Sequence, residues 1–151
     1  MKKKSPDTQK LQEILHSSKL VRGSFLGTDR RGVLEIIDAD AAEMARLGVG
    51  PEVLAGRMQE ITDLAQKSLG NWVKIDNKRQ AMTQEARGNL VCPWPHPAKF
   101  AKRVTTVKMI DSDKSIQWAD LNIHLIAKHG FFEGRGSAFR IEPAELIDMI
   151  F

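Results

Sequence analysis

Between Pro51 and Gly70, the apolar residues Leu54, Met58, Ile61, Ala65 and Leu69 recur at i, i+4, i+7, i+11 and i+15, and beyond Gly70 this period stops. The spacing predicts a helix with one buried face, leaving Arg57, Gln59, Glu60 and Asp63 off the stripe. Pro51 suits a first helical position, where its missing N–H costs no bond, and Gly70 provides the stop. After Gly70 short strand-like runs take over, at 72–76, 80–86, 90–92, 104–110 and 116–118. Helices first and strands later, with no βαβ alternation, predict an α+β fold with an antiparallel sheet.

The remaining elements follow from local signals. Leu11, Ile14, Leu15, Leu20 and Val21 suggest a short amphipathic helix ending before Gly23. Thr28 or Asp29 can cap a second helix whose stripe is Leu34, Ile37, Ala41, Met44 and Leu47, with Asp38 and Asp40 expected to break it in two. Arg87-Gly88-Asn89 reads as a turn returning 90–92 onto 80–86, and Asp111 to Ser115 as the turn of a hairpin. Pro93, Pro95 and Pro97 exclude a regular helix or central strand between them. Asp120 can cap a helix ended by Gly130, although Leu121, Ile123 and Leu125 also alternate as a strand would. Phe131 and Phe132 are expected in the core, and Pro143 opens a last helix with Leu146, Ile147 and Ile150 facing inward. The expected architecture is a helical N-terminal half packed against a small antiparallel sheet, with two short C-terminal helices. Residues 1–10, polar and basic, read as a disordered tail, and 11–151 as a single domain.

A chain of 151 residues with one cysteine forms no internal disulfide, which points to the reducing cytosol. No apolar run approaches a membrane span, so no membrane partner is expected. The net charge is +4 but unevenly spread. Residues 35–66 hold two Lys/Arg against seven Asp/Glu, while residues 71–108 hold eight against two. The first block argues against a helix-turn-helix at Met44 to Leu54, whose recognition helix would need positive charge. The second contains Lys74, Arg79, Arg87, Lys99, Lys102 and Arg103 beside Trp72, Trp94 and Phe100. Positive charge interleaved with aromatic rings suits single-stranded nucleic acid, or an acidic protein. The leading expectation is therefore a small cytosolic, non-enzymatic binding domain using the basic surface around Lys74, Arg79, Arg87, Trp94, Lys99, Lys102 and Arg103. Solvated lysines around core rings would look the same in sequence. A subunit completing its core as a homo-oligomer is a further structural reading.

The competing expectation is a Cys/His site, holding a structural or catalytic zinc or forming a nucleophile. Cys92 and His96 stand four apart on the proline-stiffened stretch, and His124 and His129 carry an H-x4-H spacing found in structural zinc sites. Positions i and i+5 of a continuous helix lie about 140° apart, so both rings reach one ion only if the helix ends or tightens near Lys128. The same side chains could instead form a Cys–His nucleophile, which would require an exposed Cys92 with a depressed pKa. A single cysteine lacks a C-x-x-C hook, and a small buried thiol among hydrogen-bonded histidines is the plainer explanation. Finally, Gly134, Arg135 and Gly136, with Arg140 close behind, have the parts of an anion loop, though not the spacing of a P-loop. A tight connection between Phe132 and Phe139 explains them as well.

Overall fold

A computed structural model describes residues 6–17, 25–96 and 98–151, and these form an α+β fold. The elements are α1 (Pro6–Ser17), α2 (Val33–Leu47), α3 (Pro51–Gln66), β1 (Val73–Lys74), β2 (Arg79–Val91), β3 (Lys99–Met109), β4 (Ser115–Ala119), α4 (Asp120–His129) and α5 (Pro143–Ile150). The strands make one antiparallel sheet in the order β1-β2-β3-β4. Helices precede the sheet and two short helices follow it, as the sequence predicts. Among the described residues no helix is long and apolar enough to cross a membrane.

α3 buries Leu54, Met58, Ile61 and Ala65, the expected face, but ends at Gln66, so Leu69 lies beyond it and is 89% exposed. In α2 the inward face is Val33, Ile36, Asp40 and Met44, one position round from the expected stripe. The helix does not break at Asp40, because a distant partner makes that carboxylate welcome inside. Arg140 donates two bonds to it, at 2.5 and 2.9 Å, and both side chains are almost fully buried. α1 begins at Pro6, so residues 6–10 are helical. Residues 1–5 and the helix end expected at Leu20 and Val21 lie outside the described residues.

Arg87-Gly88-Asn89 is not a turn. β2 runs through it and pairs with β3 on both sides, with a register shift between Ala86 and Asn89. Gly88 has φ +97°, a conformation suited to glycine at a bulge. The true reversal is the stretch 92–98, closed by Cys92 N–H donating to the Ala98 carbonyl at 3.1 Å.

Two apolar clusters hold the fold. The first joins α3, α5 and one sheet face through Leu54, Met58, Ile61, Val107, Trp118 and Leu146. Within it Trp118 Nε1 donates to Thr62 Oγ1 at 2.9 Å, and Thr62 shares a second bond with Thr105. Arg79 reaches the Met149 and Phe151 carbonyls at 2.5 and 2.7 Å, tying down the end of α5. The second cluster gathers Leu15, Phe25, Leu26, Ile36, Leu90 and Cys92 against Leu121, Leu125 and Phe131 of the α4 region.

The 133–137 loop is zipped onto residues 25–29. Gly134 N–H donates to the Phe25 carbonyl and Thr28 N–H to the Arg135 carbonyl, while Asp29 accepts from Arg135 N–H. A Cβ at Gly134 would collide with the Leu26 backbone, and one at Gly136 with Thr28. The glycines serve this close approach, and Arg140 is spent on Asp40 and Glu142. Of the donors in the expected anion loop, the backbone N–H groups of Gly134 and Arg135 and the Arg140 guanidinium are thus engaged within the chain, while the Arg135 side chain is exposed.

Candidate metal centre

Cys92 and His96 sit on the β2–β3 reversal, and His124 and His129 on α4. The proline-bent turn folds back on itself, with His96 N–H donating to the Trp94 carbonyl at 2.7 Å. This brings His96 over Cys92. α4 ends at His129, and Gly130 in the left-handed conformation (φ +62°) closes it, with Gly130 N–H donating to the Ile126 carbonyl and Phe131 N–H to the Leu125 carbonyl. His129 is thus the last helical residue, where the side chain can swing toward the face that carries His124. The helix end foreseen near Lys128 is what lets an H-x4-H pair converge.

The four side chains meet. One donor atom from each of Cys92, His96, His124 and His129 lies within 4.8 Å of the others. Cys92 Sγ is 3.3 Å from His96 Nε2 and 3.5 Å from His129 Nε2, and the two nitrogens are 3.0 Å apart. Zinc bonds of about 2.0–2.1 Å to nitrogen and about 2.3 Å to sulfur imply tetrahedron edges of about 3.4 Å for N···N and about 3.6 Å for S···N. The three edges among Cys92, His96 and His129 lie inside these, and the His124 donor atom is within 4.8 Å of the other three. Cys92 is buried and the three histidines are half-buried.

Around them the site is walled with rings. Trp94 stacks flat on His129, with centroids 4.1 Å apart and planes 9° off parallel, and meets Phe131 edge-on. Phe100 lies 4.7 Å from the His124 ring. Such walls restrict the imidazole rings. Sequence reasoning named Trp94 and Phe100 only as partners of basic residues. Their places in the sequence near Cys92, Trp94 on the bend and Phe100 at the start of β3, carried the better signal.

The electrostatics favour neutral donors. Burial first, then the neighbouring histidines, push His129 down to about 4. Burial likewise lowers His124, helped by His96 and Lys128, and burial raises the Cys92 thiol. The His124 and His129 imidazoles are therefore uncharged at neutral pH, as ligands must be, and the thiol is not the depressed one a nucleophile needs. His124 Nε2 is buried with no hydrogen-bond partner among the described residues, an unmet polar atom within the cluster.

Of the expected basic surface, Arg79 is buried against α5, and Arg103 is half-buried and bound to Glu85 and Asp120, both at 2.7 Å. Trp94 belongs to the histidine cluster. Lys74, Arg87, Lys99 and Lys102 remain exposed.

Comparison of the chain with known protein families, curated proteins and solved structures finds no match.

Proposed function

We propose that the protein is a zinc-binding domain in which Cys92, His96, His124 and His129 form a closed structural site. The observation that carries this reading is the convergence of four donor atoms within 4.8 Å from two segments far apart in sequence. Ligand number sets the role: four protein donors fill a tetrahedral zinc and leave no position for water or substrate. Bound zinc would hold the thiol as thiolate and link the β2–β3 reversal to the end of α4. The buried, unpartnered His124 Nε2 supports the reading, because an ion satisfies it where no protein group does. The lone thiol fits a reducing cytosol, where we place the protein.

Elemental analysis of tag-free protein tests the proposal. One equivalent of zinc is expected, falling below a tenth in Cys92→Ser. Replacement by cobalt should give the intense visible bands of a tetrahedral ion and a thiolate charge-transfer band that vanishes in the same variant. Folded protein that takes up no metal from a zinc-containing buffer would overturn the proposal.

A further inference from the structure

The sheet has one face under α3 and another with a different chemistry. Side chains alternate along each strand, so Thr83, Thr105, Val107 and Trp118 point into the core and their sequence neighbours point the other way. That second face carries Lys74, Lys102 and Lys108 and the amides of Gln80, Gln84 and Gln117. Lys74 and Lys108 flank Gln80 in adjacent strands. Lys102 lies six residues from Lys108 on β3, about 20 Å along the strand. The four strands contain a single carboxylate, Glu85, which points to the core side and is bound to Arg103. Lys74 and Lys102 are exposed and Lys108 half-buried, and none of them joins an ion pair among the described residues.

At the Lys102 end the face opens into a groove of about 770 Å³. Gln84, Lys102, Val104, Gln117 and the ring of Phe139 line it, and the paired Glu85 and Arg103 also border it. Half-buried Phe139 offers a stacking surface, the two amides offer donors and acceptors, and the lysines offer unpaired positive charge. An acidic peptide would use only the charge. A duplex would keep its bases stacked and away from the ring.

We propose that this sheet face binds single-stranded nucleic acid. Lys74, Lys102 and Lys108 track the phosphates, Phe139 stacks a base in the groove, and Gln84 and Gln117 bond its edge. None of the four metal-site side chains lines the groove, although Phe139 and Leu90 pack in the apolar cluster that holds Cys92.

The test is fluorescence anisotropy with a fluorescein-labelled 20-nucleotide oligouridylate on the full chain, between 50 and 200 mM salt. Wild type should bind with an affinity that falls steeply with salt. The triple variant Lys74→Glu, Lys102→Glu and Lys108→Glu should bind at least tenfold more weakly. Its log–log salt slope should be shallower by about 2, from three lost phosphate contacts at about 0.7 each. Lys→Gln at the same three positions should follow in the same direction, which guards against misfolding of the charge-reversed chain. Phe139→Leu keeps apolar packing and should weaken binding without changing the slope. The control Lys10→Glu, Lys67→Glu and Lys78→Glu has the same net charge and should change affinity less than twofold. Absence of wild-type binding at 50 mM salt would overturn the proposal. So would equal weakening by both triples, equal affinity for a duplex, or equal displacement by polyglutamate.

Discussion

The two apolar clusters are built on different terms. The one under α3 is closed by packing and neutral hydrogen bonds: Trp118, Leu54, Met58 and Ile61 are wholly buried, and the polar atoms of Thr62, Thr105 and Trp118 satisfy one another. The one around Cys92 ends in four side chains that could hold a metal ion, of which one nitrogen has no hydrogen-bond partner among the described residues. The first closes on its own polar atoms, whereas we propose that a cation completes the second. A protein of this size can support a core without a metal, so the ion is expected to set local order and not the whole fold.

Trp118→Ala should give the largest loss. Removing a fully buried indole leaves a cavity and takes one of the two partners of the Thr62 hydroxyl, at about 3–5 kcal/mol. Chemical denaturation should show the same loss with zinc present or chelated. A loss that depends on zinc would mean that the clusters are one cooperative structure.

Removing zinc with a chelator comes next. At zinc concentrations of about 100 to 1,000 times the dissociation constant, binding adds about 2.7–4.1 kcal/mol. Hydrogen exchange should show where: protection should fall at 92–98 and in the last turn of α4, and persist at Ala81, Thr83 and Val107. A uniform fall across the sheet would break the distinction between the clusters.

Glu133 stands at the seam, following Phe131 of one cluster and Phe132 of the other. It is 2% exposed, has φ +67°, and accepts bonds from Asn122 and Ser137, yet burial pushes its carboxyl up to about 7. The folded state therefore holds a proton that the unfolded chain releases near 4.5. Its contribution is whole below pH 4.5 and is lost as pH rises to about 7, the reverse of a salt-bridged acid. Glu133→Gln should gain on wild type across that window, by on the order of 2–3 kcal/mol. Denaturation curves at pH 4.5 and 8 measure the difference, and a constant offset would contradict it.

How much of this was legible in the sequence depended on the range of the interaction. Local signals sufficed for α3 between Pro51 and its terminating turn, for α4 ending at Gly130, and for α5 opening at Pro143. The meeting of Cys92 and His96 with His124 and His129 was legible as ligand chemistry, though only folding could show that the proline bend abuts the end of α4. Long-range partners were invisible. Asp40 looked like a helix breaker because Arg140, 100 positions away, is what makes its burial tolerable. Arg87-Gly88-Asn89 looked like a hairpin turn because a bulge and a turn both call for glycine at positive φ, and only the pairing of Ala86 with Lys102 and Asn89 with Ala101 separates them. Arg79 and Arg103 counted as surface charge because a sequence does not reveal which arginines find internal partners.

The smallest effect probes the first cluster at one atom. Thr62 Oγ1 is fully buried, accepts from the Trp118 indole and shares a bond with Thr105. Thr62→Val keeps the volume and removes the hydroxyl, leaving an indole N–H and a threonine hydroxyl unpaired in an apolar surround. The expected cost is about 1–3 kcal/mol, from the stranded partners more than from the lost bonds. Combined with Cys92→Ser, the two losses should add within about 0.5 kcal/mol, because the sites share no partner. A larger coupling would mean that the indole and the metal centre report on one packed unit, and that α4, which contributes to both clusters, transmits strain between them.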